Sequence, residues 1–268
     1  MIDCRPVLDR DGVTISDVAC RHGAGRGEEP EPSPGHAIVF VRRGCFVRSA
    51  DGVEALLDPT VAYCTNPGEE QRYDHPHEHG DDCTVIALDE ASAARLWGDA
   101  PLPAGPLYTT PAIDLEHRLL VAAAGRRQDA HELYERAITL AAGAIGRRDP
   151  VRIAAGRPST DRARRRLVDD AREALAAAPD RSLPELAERL SVSPHHLSRV
   201  FRSRTGHTIS GYRLILRARA GLERIAGGER QLARLAVELG FADQSHLCRV
   251  IRKQTGHTPA ALRAVFAR

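Results

Sequence analysis

Ser193–Thr208 reads SPHHLSRVFRSRTGHT, and Asp243–Thr258 reads DQSHLCRVIRKQTGHT. At a constant offset His196/His246, Leu197/Leu247, Arg199/Arg249, Val200/Val250 and Arg202/Arg252 coincide, as does the whole Thr-Gly-His-Thr tail. The segments just before also match, with one residue added in the second turn: Leu183, Leu186, Ala187 and Leu190 against Leu232, Leu235, Ala236 and Leu239. Two copies are too few for a solenoid, so the pattern predicts a duplicated helix-turn-helix.

Each copy carries its own start and stop signals. Ser182 with Glu185 forms a capping-box pattern opening SLPELAERL. Ser193 caps the next helix, with Pro194 at the first position, where a missing N–H costs nothing. Leu197, Val200 and Phe201 then fall at i, i+3 and i+4 and face a core, which leaves His195, Ser198, Arg199 and Arg202 outward. Gly206 stops the helix at a left-handed cap. In the second copy Leu247, Val250 and Ile251 point inward. Gln244, Ser245, Cys248, Arg249 and Arg252 point outward, and Gly256 is the stop. Two ordinary packed hairpins with a solvated Arg face are the alternative, but the outward Arg recurs at the same two places in both copies. Between the copies, Thr208–Ile225 has helical periodicity and no proline. As one helix it is about 27 Å long, against roughly 34 Å between successive major grooves. The shortfall predicts modest DNA bending.

The region Arg164–Arg268 resembles the DNA-binding domain of the AraC/XylS family of bacterial transcription regulators. The resemblance is carried by Leu239-Gly240-Phe241, His246-Leu247-Cys248-Arg249, Thr255-Gly256-His257-Thr258-Pro259 and Leu262-Arg263. Ile251 departs from the family's usual Phe, and Leu262 stands where an aromatic is common. The resemblance implies that His195, Ser198, Arg199, Gln244, Ser245, Cys248 and Arg249 face bases. Arg199 and Arg249 suit bidentate pairing to guanine. Arg202, Arg252 and Lys253 lie farther along and suit phosphate, whereas His196 and His246 suit capping or packing. Promoter DNA, RNA polymerase, a small-molecule or metal effector and a second copy of the chain are the partners it implies, with activation the commoner outcome.

Charge is divided along the chain. Residues 163–268 hold 20 Lys/Arg against 10 Asp/Glu, a formal +10, while residues 1–162 hold 18 against 26, a formal −8. That division suits one module on phosphates and another that avoids them. Lys253 is the sole lysine, and guanidinium forks favour phosphate and guanine. A length of 268 residues suggests about two domains. No run of 18 or more apolar residues exists, and the opening MIDCRPVLDRDG lacks a basic region followed by an apolar run. A cytoplasmic protein with no membrane span is expected.

The N-terminal half alternates short extended runs with turns. A first strand is expected around Gly12–Arg21, and Gly23–Gly35 (GAGRGEEPEPSPG) reads as a mobile loop. Strands then follow at HAIVFVR, Cys45–Arg48, Val53–Leu57, Val61–Thr65, Gln71–His75 and Cys83–Leu88, the spacing of a small antiparallel barrel or sandwich. This part resembles the cupin-like sensing domain found in front of many AraC-type domains. Glu90–Trp97 reads as a short helix and DAPLPAGPLYTTP as a rigid crossing, with further helices at Ile113–Arg126 and Ala130–Arg147. Leu133, Ala137, Leu140, Ala141 and Ala144 line one stripe. By resemblance the stripe forms a dimer contact; otherwise it packs on its own barrel. The expected fold is α+β in two domains: an N-terminal antiparallel cupin-like β-barrel with a helical pair, and a C-terminal all-α domain with two helix-turn-helix motifs. The boundaries are 1-112 for sensing, 113-147 for the helical pair, 148-162 for a linker and 163-268 for DNA binding.

One cluster invites metal chemistry: His75, His77, His79 and Cys83 within nine residues. Imidazoles and a thiolate at this density suit a divalent transition metal such as zinc, nickel or copper. The alternative is a solvated polar turn. The H-x-H pair resembles that of metal-dependent cupin enzymes, but these need a later histidine, and His117 and His131 fall in helices; no catalytic residue is assigned. Six cysteines form no C-x-x-C pair, and Cys45, Cys64 and Cys83 read as buried small hydrophobes.

Overall fold

Strand β4 (His36–Arg43) fixes the N-terminal architecture, because its side chains are buried on both faces. In the computed structural model, residues 2–25, 27, 29–78, 80–126, 129–146 and 158–267 are described. Nine further strands accompany β4: β1 (Ile2–Arg10), β2 (Val13–Cys20), β3 (Glu31–Pro32), β5 (Phe46–Ala50), β6 (Val53–Leu57), β7 (Val61–Thr65), β8 (Glu70–Asp74), β9 (Asp81–Leu88) and β10 (Pro106–Tyr108). They form two antiparallel sheets, ordered β1-β2-β9-β4-β7-β10 and β3-β8-β5-β6.

Successive strand residues point to opposite faces, and here each face has its own core. Ile38 and Phe40 of β4, Ala62 and Cys64 of β7, and Ile86 and Leu88 of β9 pack under the helices that follow. Val39, Val41, Val61, Tyr63 and Cys83, one residue out of phase, pack against Phe46 and Leu57 of the smaller sheet. A one-residue slip would exchange these two sets, so burial on both sides pins the register.

The helices over the larger sheet are α1 (Glu90–Trp97), α2 (Pro111–Gly125) and α3 (Ala130–Gly146). Asp89 caps α1 and Thr110 caps α2. The α3 stripe is where its self-packing alternative puts it. Leu133, Ala137, Leu140, Ala141 and Ala144 are buried in the sheet's own core, none more than 7% exposed, so those residues are not free to join two protomers. Three strands escape the sequence reading. β1 lies before Gly12, β10 within the proline-rich crossing, and β3 inside Gly23–Gly35, where Glu31 and Pro32 pair with Gln71 and Glu70. Gly27 also runs so close to β8 that a Cβ there would fall 2.0 Å from the Tyr73 carbonyl oxygen.

Among the described residues seven further helices follow: α4 (Pro158–Ala177), α5 (Leu183–Arg189), α6 (Pro194–Thr205), α7 (Ile209–Ala226), α8 (Leu232–Glu238), α9 (Gln244–Thr255) and α10 (Pro259–Phe266). The joining segment is one uninterrupted helix, α7. α4 starts inside the stretch read as a linker, whose residues 148–157 lie outside the described residues. By density of contacts the chain divides into Met1–Arg147 with Arg217–Arg268, and Arg148–Leu216. Among the described residues no helix is long and apolar enough to cross a membrane.

Burial of one histidine under α2 has a consequence for acid stability. His117 is 4% exposed, with Nε2 2.9 Å from the Thr84 hydroxyl and its ring against Phe40. Burial and the neighbouring Arg118 charge push its pKa down to about 3. An exposed histidine titrates near about 6.5, so between these values only the unfolded chain takes up the proton. Stability therefore falls as the pH drops through that window, by about 2 kcal/mol between pH 7 and 5. His117→Gln, which keeps a hydrogen-bonding group near Thr84, is expected to flatten this pH dependence. Urea midpoints for both proteins at the two pH values check it, and equal slopes would refute it.

Candidate nucleic-acid interface

The first helix-turn-helix is held from below by an apolar core and from its ends by caps. Val168, Ala171, Ala174 and Leu175 of α4 pack with Leu186 and Ala187 of α5, with Leu197, Val200 and Phe201 of α6, and with Ile209 and Tyr212 of α7. Phe201 meets Tyr212 edge-on at 5.3 Å. The Ser182–Glu185 capping box is formed in both directions, at 2.7 and 3.4 Å. Ser193 Oγ accepts from the His196 N–H, and Gly206 ends α6 in the left-handed region at φ 75°. The second motif repeats the scheme with Asp243 accepting from the His246 N–H at 2.6 Å and Gly256 at φ 77°. Leu247 and Ile251 are fully buried, while Val250 is half-buried.

The outward set is where the periodicity puts it. His195, Arg199 and Arg202 are exposed on α6, and Ser198 is half-exposed. On α9 Gln244, Ser245, Arg249, Arg252 and Lys253 are exposed and Cys248 is half-exposed. His196 and His246 do local work instead. The Arg199 Nη2 lies 3.5 Å from His196 Nδ1, and the His246 ring packs edge-on against Phe241.

Charge pairing separates two classes of arginine. Arg172 is 1% exposed; its Nε donates to the Tyr212 hydroxyl at 2.9 Å and its Nη1 to Asp169 at 3.0 Å. Arg204 is buried and ion-paired with Asp161. Arg224 is bound by Glu229 and Glu238 at 2.9 and 3.0 Å. Among the described residues, by contrast, none of Arg199, Arg202, Arg249, Arg252 or Lys253 has a carboxylate within ion-pair distance. Each helix thus presents a row of cations without internal counter-charges, as a polyanion requires.

In the N-terminal half, the space between the sheets is filled by its own side chains. Arg48 is ion-paired to Glu69 at 2.9 Å and lies over the Tyr63 ring, whose hydroxyl donates to that of Tyr73 at 3.3 Å. The adjoining cleft, lined by Arg48, Leu57, Tyr63, Glu69 and Pro106, has room for about 30 Å³, the share of one water.

The described members of the histidine cluster take different partners. His75, at the end of β8, has Nε2 3.3 Å from Cys20 Sγ and 3.0 Å from Asp81 Oδ2. Cys20 Sγ is also 3.2 Å from His22 Nδ1. Cys83 is buried two residues along β9 and donates to Asp81 Oδ1 at 3.5 Å. His77 Nε2 is buried without a hydrogen-bond partner, and His79 lies outside the described residues. The grouping of Cys20, His22 and His75 is invisible in sequence, since it needs the β2–β9 pairing that sets Cys20 opposite Asp81. Only the C-x-H spacing of Cys20 and His22 hints at it.

Residues 186–264 match a family model described as a helix-turn-helix domain. The match spans both motifs and less than a third of the chain, and it covers most of the region that resembles AraC/XylS regulators. No curated protein matches the chain. Among solved structures, it is similar to ToxT from Vibrio cholerae O395, at 10% identity over 96% of this chain and 99% of that one, TM-score 0.37. It is similar also to the C-terminal domain of AraT, a response regulator from Geobacillus stearothermophilus, at 25% identity over 37% and 84%, TM-score 0.34. A cupin superfamily protein from Desulfitobacterium hafniense matches at 16% identity over 33% and 77%, TM-score 0.28. Such low TM-scores carry no property across to this chain.

The caps set the presentation of the reading helices. Ser193→Ala and Asp243→Ala should each cost about 1 kcal/mol. Denaturant unfolding monitored by circular dichroism measures this, and a loss below a few tenths of a kcal/mol would remove the caps from the account.

Proposed function

We propose that this chain is a sequence-specific DNA-binding transcription regulator, acting as an activator. In this reading the helix-turn-helix domain holds the operator and the N-terminal domain binds an effector. The observation that carries it is the pair of outward cation rows on α6 and α9, left without counter-ions among the described residues while the inward arginines are neutralised. Arg199 and Arg249 pair with guanine. His195, Ser198, Gln244, Ser245 and Cys248 read neighbouring bases, and Arg202, Arg252 and Lys253 grip phosphate. Residues 1-112 sense, 113-147 buttress the sheet, and 163-268 bind DNA. The protein works in the cytoplasm beside RNA polymerase, as a homodimer whose contact lies outside the α3 stripe.

A route for effector control runs through α2 and the second half of α7. Arg118, buried on α2, ion-pairs with Glu223 of α7 and with Asp114 at 3.2 Å. Arg219 of α7 reaches the Pro59 carbonyl, the Thr109 carbonyl at 2.9 Å and its hydroxyl at 2.8 Å. Burial alone would raise the Asp114 carboxyl pKa, but Arg118 and Arg219 outweigh it and hold the carboxyl below its usual range. An effector that shifts the sensing sheet changes the free energy of this charge cluster, and so biases the DNA-binding state. The metal-dependent cupin enzyme has less support. His117, the nearest later histidine, is hydrogen-bonded to Thr84 on the helix-covered face and does not meet His75 or His77.

In selection from random duplexes followed by footprinting, the full chain should enrich one sequence and protect two neighbouring major-groove segments. Arg199→Ala should lose about 1–3 kcal/mol at one base position, while Arg252→Ala weakens all sequences alike and lowers the salt slope by about 1. Binding indifferent to sequence, or a uniform loss from Arg199→Ala, would overturn the proposal.

A further inference from the structure

The strand ends of the N-terminal domain bring together a set of soft and borderline ligand atoms that DNA reading does not use. Cys20 Sγ, His22 Nδ1 and one nitrogen of His75 lie within 4.8 Å of one another, and Asp81 Oδ2 stands 3.0 Å from that same His75 nitrogen. We propose that Cys20, His22, His75 and Asp81 form a binding site for one zinc-class divalent cation. The site stands independently of the DNA-reading role, because all four ligands belong to the N-terminal strands and their loops.

Three features favour a cation over a plain hydrogen-bond network. First, the S···N separations of 3.2 and 3.3 Å are close to the ~3.5 Å between ligands on a tetrahedral zinc with bonds of about 2.3 and 2.0 Å. Second, thiol and carboxylate converge on the same imidazole nitrogen, Nε2 of His75. That nitrogen has one proton or one lone pair, so thiol and carboxylate must share it; a cation in the gap satisfies all of them. A Cys-His-Asp relay would place thiol and carboxylate on opposite ring nitrogens. Third, a thiolate and a carboxylate supply two negative charges, which neutralise a divalent ion at a site where Cys20 and Asp81 are 6% and 5% exposed.

The backbone holds the donors in place without the ion. Cys20 and Asp81 are cross-strand partners in the β2–β9 ladder. His75 is tied by a two-way bridge to Gly25, with both N–H···O distances 2.9 Å. Gly80 packs so tightly on Cys20 that a Cβ would meet its carbonyl oxygen at 2.1 Å. The donor set selects against magnesium and calcium, which take oxygen ligands. As the Sγ–metal bond forms, the Cys20 thiol proton leaves to solvent, so binding releases protons.

The test is metal binding by the reduced full-length protein, with no affinity tag. Equilibrium dialysis against Zn²⁺, read by elemental analysis, should give one ion per chain, with no competition from excess Mg²⁺. Co²⁺ in its place should show the intense visible bands of a tetrahedral site and a near-ultraviolet thiolate-to-cobalt band. Cys20→Ser should abolish the thiolate band. His75→Ala and the exposed-position variant His22→Ala should weaken Zn²⁺ binding by roughly tenfold or more, and Asp81→Asn likewise. His22→Ala keeps the test sound should a buried variant fail to fold. His77→Ala should leave stoichiometry and spectrum unchanged. Sub-stoichiometric zinc in the wild-type protein, a thiolate band that survives Cys20→Ser, or loss of binding in His77→Ala would each overturn the assignment.

Discussion

A guanidinium cannot shed its charge, so every arginine taken out of water must find a counter-charge or a ring of acceptors. That constraint orders this Arg-rich chain. Arg48 has Glu69, Arg118 has Asp114 and Glu223, Arg172 has Asp169 and Tyr212, and Arg204 has Asp161. Each of these arginines is nine-tenths or more buried, and each is bound to a carboxylate. What remains on α6 and α9 is a surplus of cations with no carboxylate at ion-pair distance among the described residues. On the proposed function, selectivity for a polyanion follows from where carboxylates are withheld as much as from where arginines are placed.

The helical half was legible in sequence because its signals are local. Ser182, Ser193 and Gly206 each act within four residues of their own position, and i, i+3, i+4 spacing reports burial without knowledge of any distant partner. The sheet half was legible only in outline. Turns such as Asp51-Gly52 mark where strands end, but not which strands pair. β1 and β3 went unrecognised because their residues are mostly exposed and lack alternation. β10 is three residues inside a proline-rich stretch and is a strand only because β7 offers it a ladder. The α3 stripe shows the same limit. Its period foretold a buried face, yet period alone cannot say whether the burying surface belongs to the same chain.

The donor cluster at Cys20 sharpens this point. His75, His77 and Cys83 are close in sequence, but each takes its own partners. Cys83 joins the core between the sheets and donates to Asp81 Oδ1, while His75 Nε2 lies beside Asp81 and Cys20 of β2. Ligands for a cation assemble across a ladder and not along it. The relevant spacing is the register that sets Cys20 against Asp81, and this becomes visible once strands are paired. In a β domain the pairing of strands decides which side chains meet; within α6 and α9 the spacing along the chain does.

Comparing the two motifs explains the departures from the family pattern and what they preserve. Phe201 and Tyr212 form an edge-on aromatic pair in the first copy, and the Tyr212 hydroxyl receives the Arg172 guanidinium. At the matching places in the second copy stand Ile251 and Leu262, both at most 1% exposed. Two aromatic residues, one with a polar tip, have become two buried aliphatic residues with none, so both departures keep an apolar group in a buried position. The methyl groups of Leu239, Leu247 and Ile251 close around Gly221 of α7, whose missing side chain leaves 3.3–3.7 Å to them; a larger residue there would press on Leu239. Beneath different cores the caps, the left-handed glycines and the two outward arginines are kept. The residues between those arginines and the helix start differ: Pro194, His195 and Ser198 against Gln244, Ser245 and Cys248. On the proposed function, a shared scaffold with shared charge and divergent outward groups fits two half-elements of unlike sequence, read in a fixed order and not as a repeat.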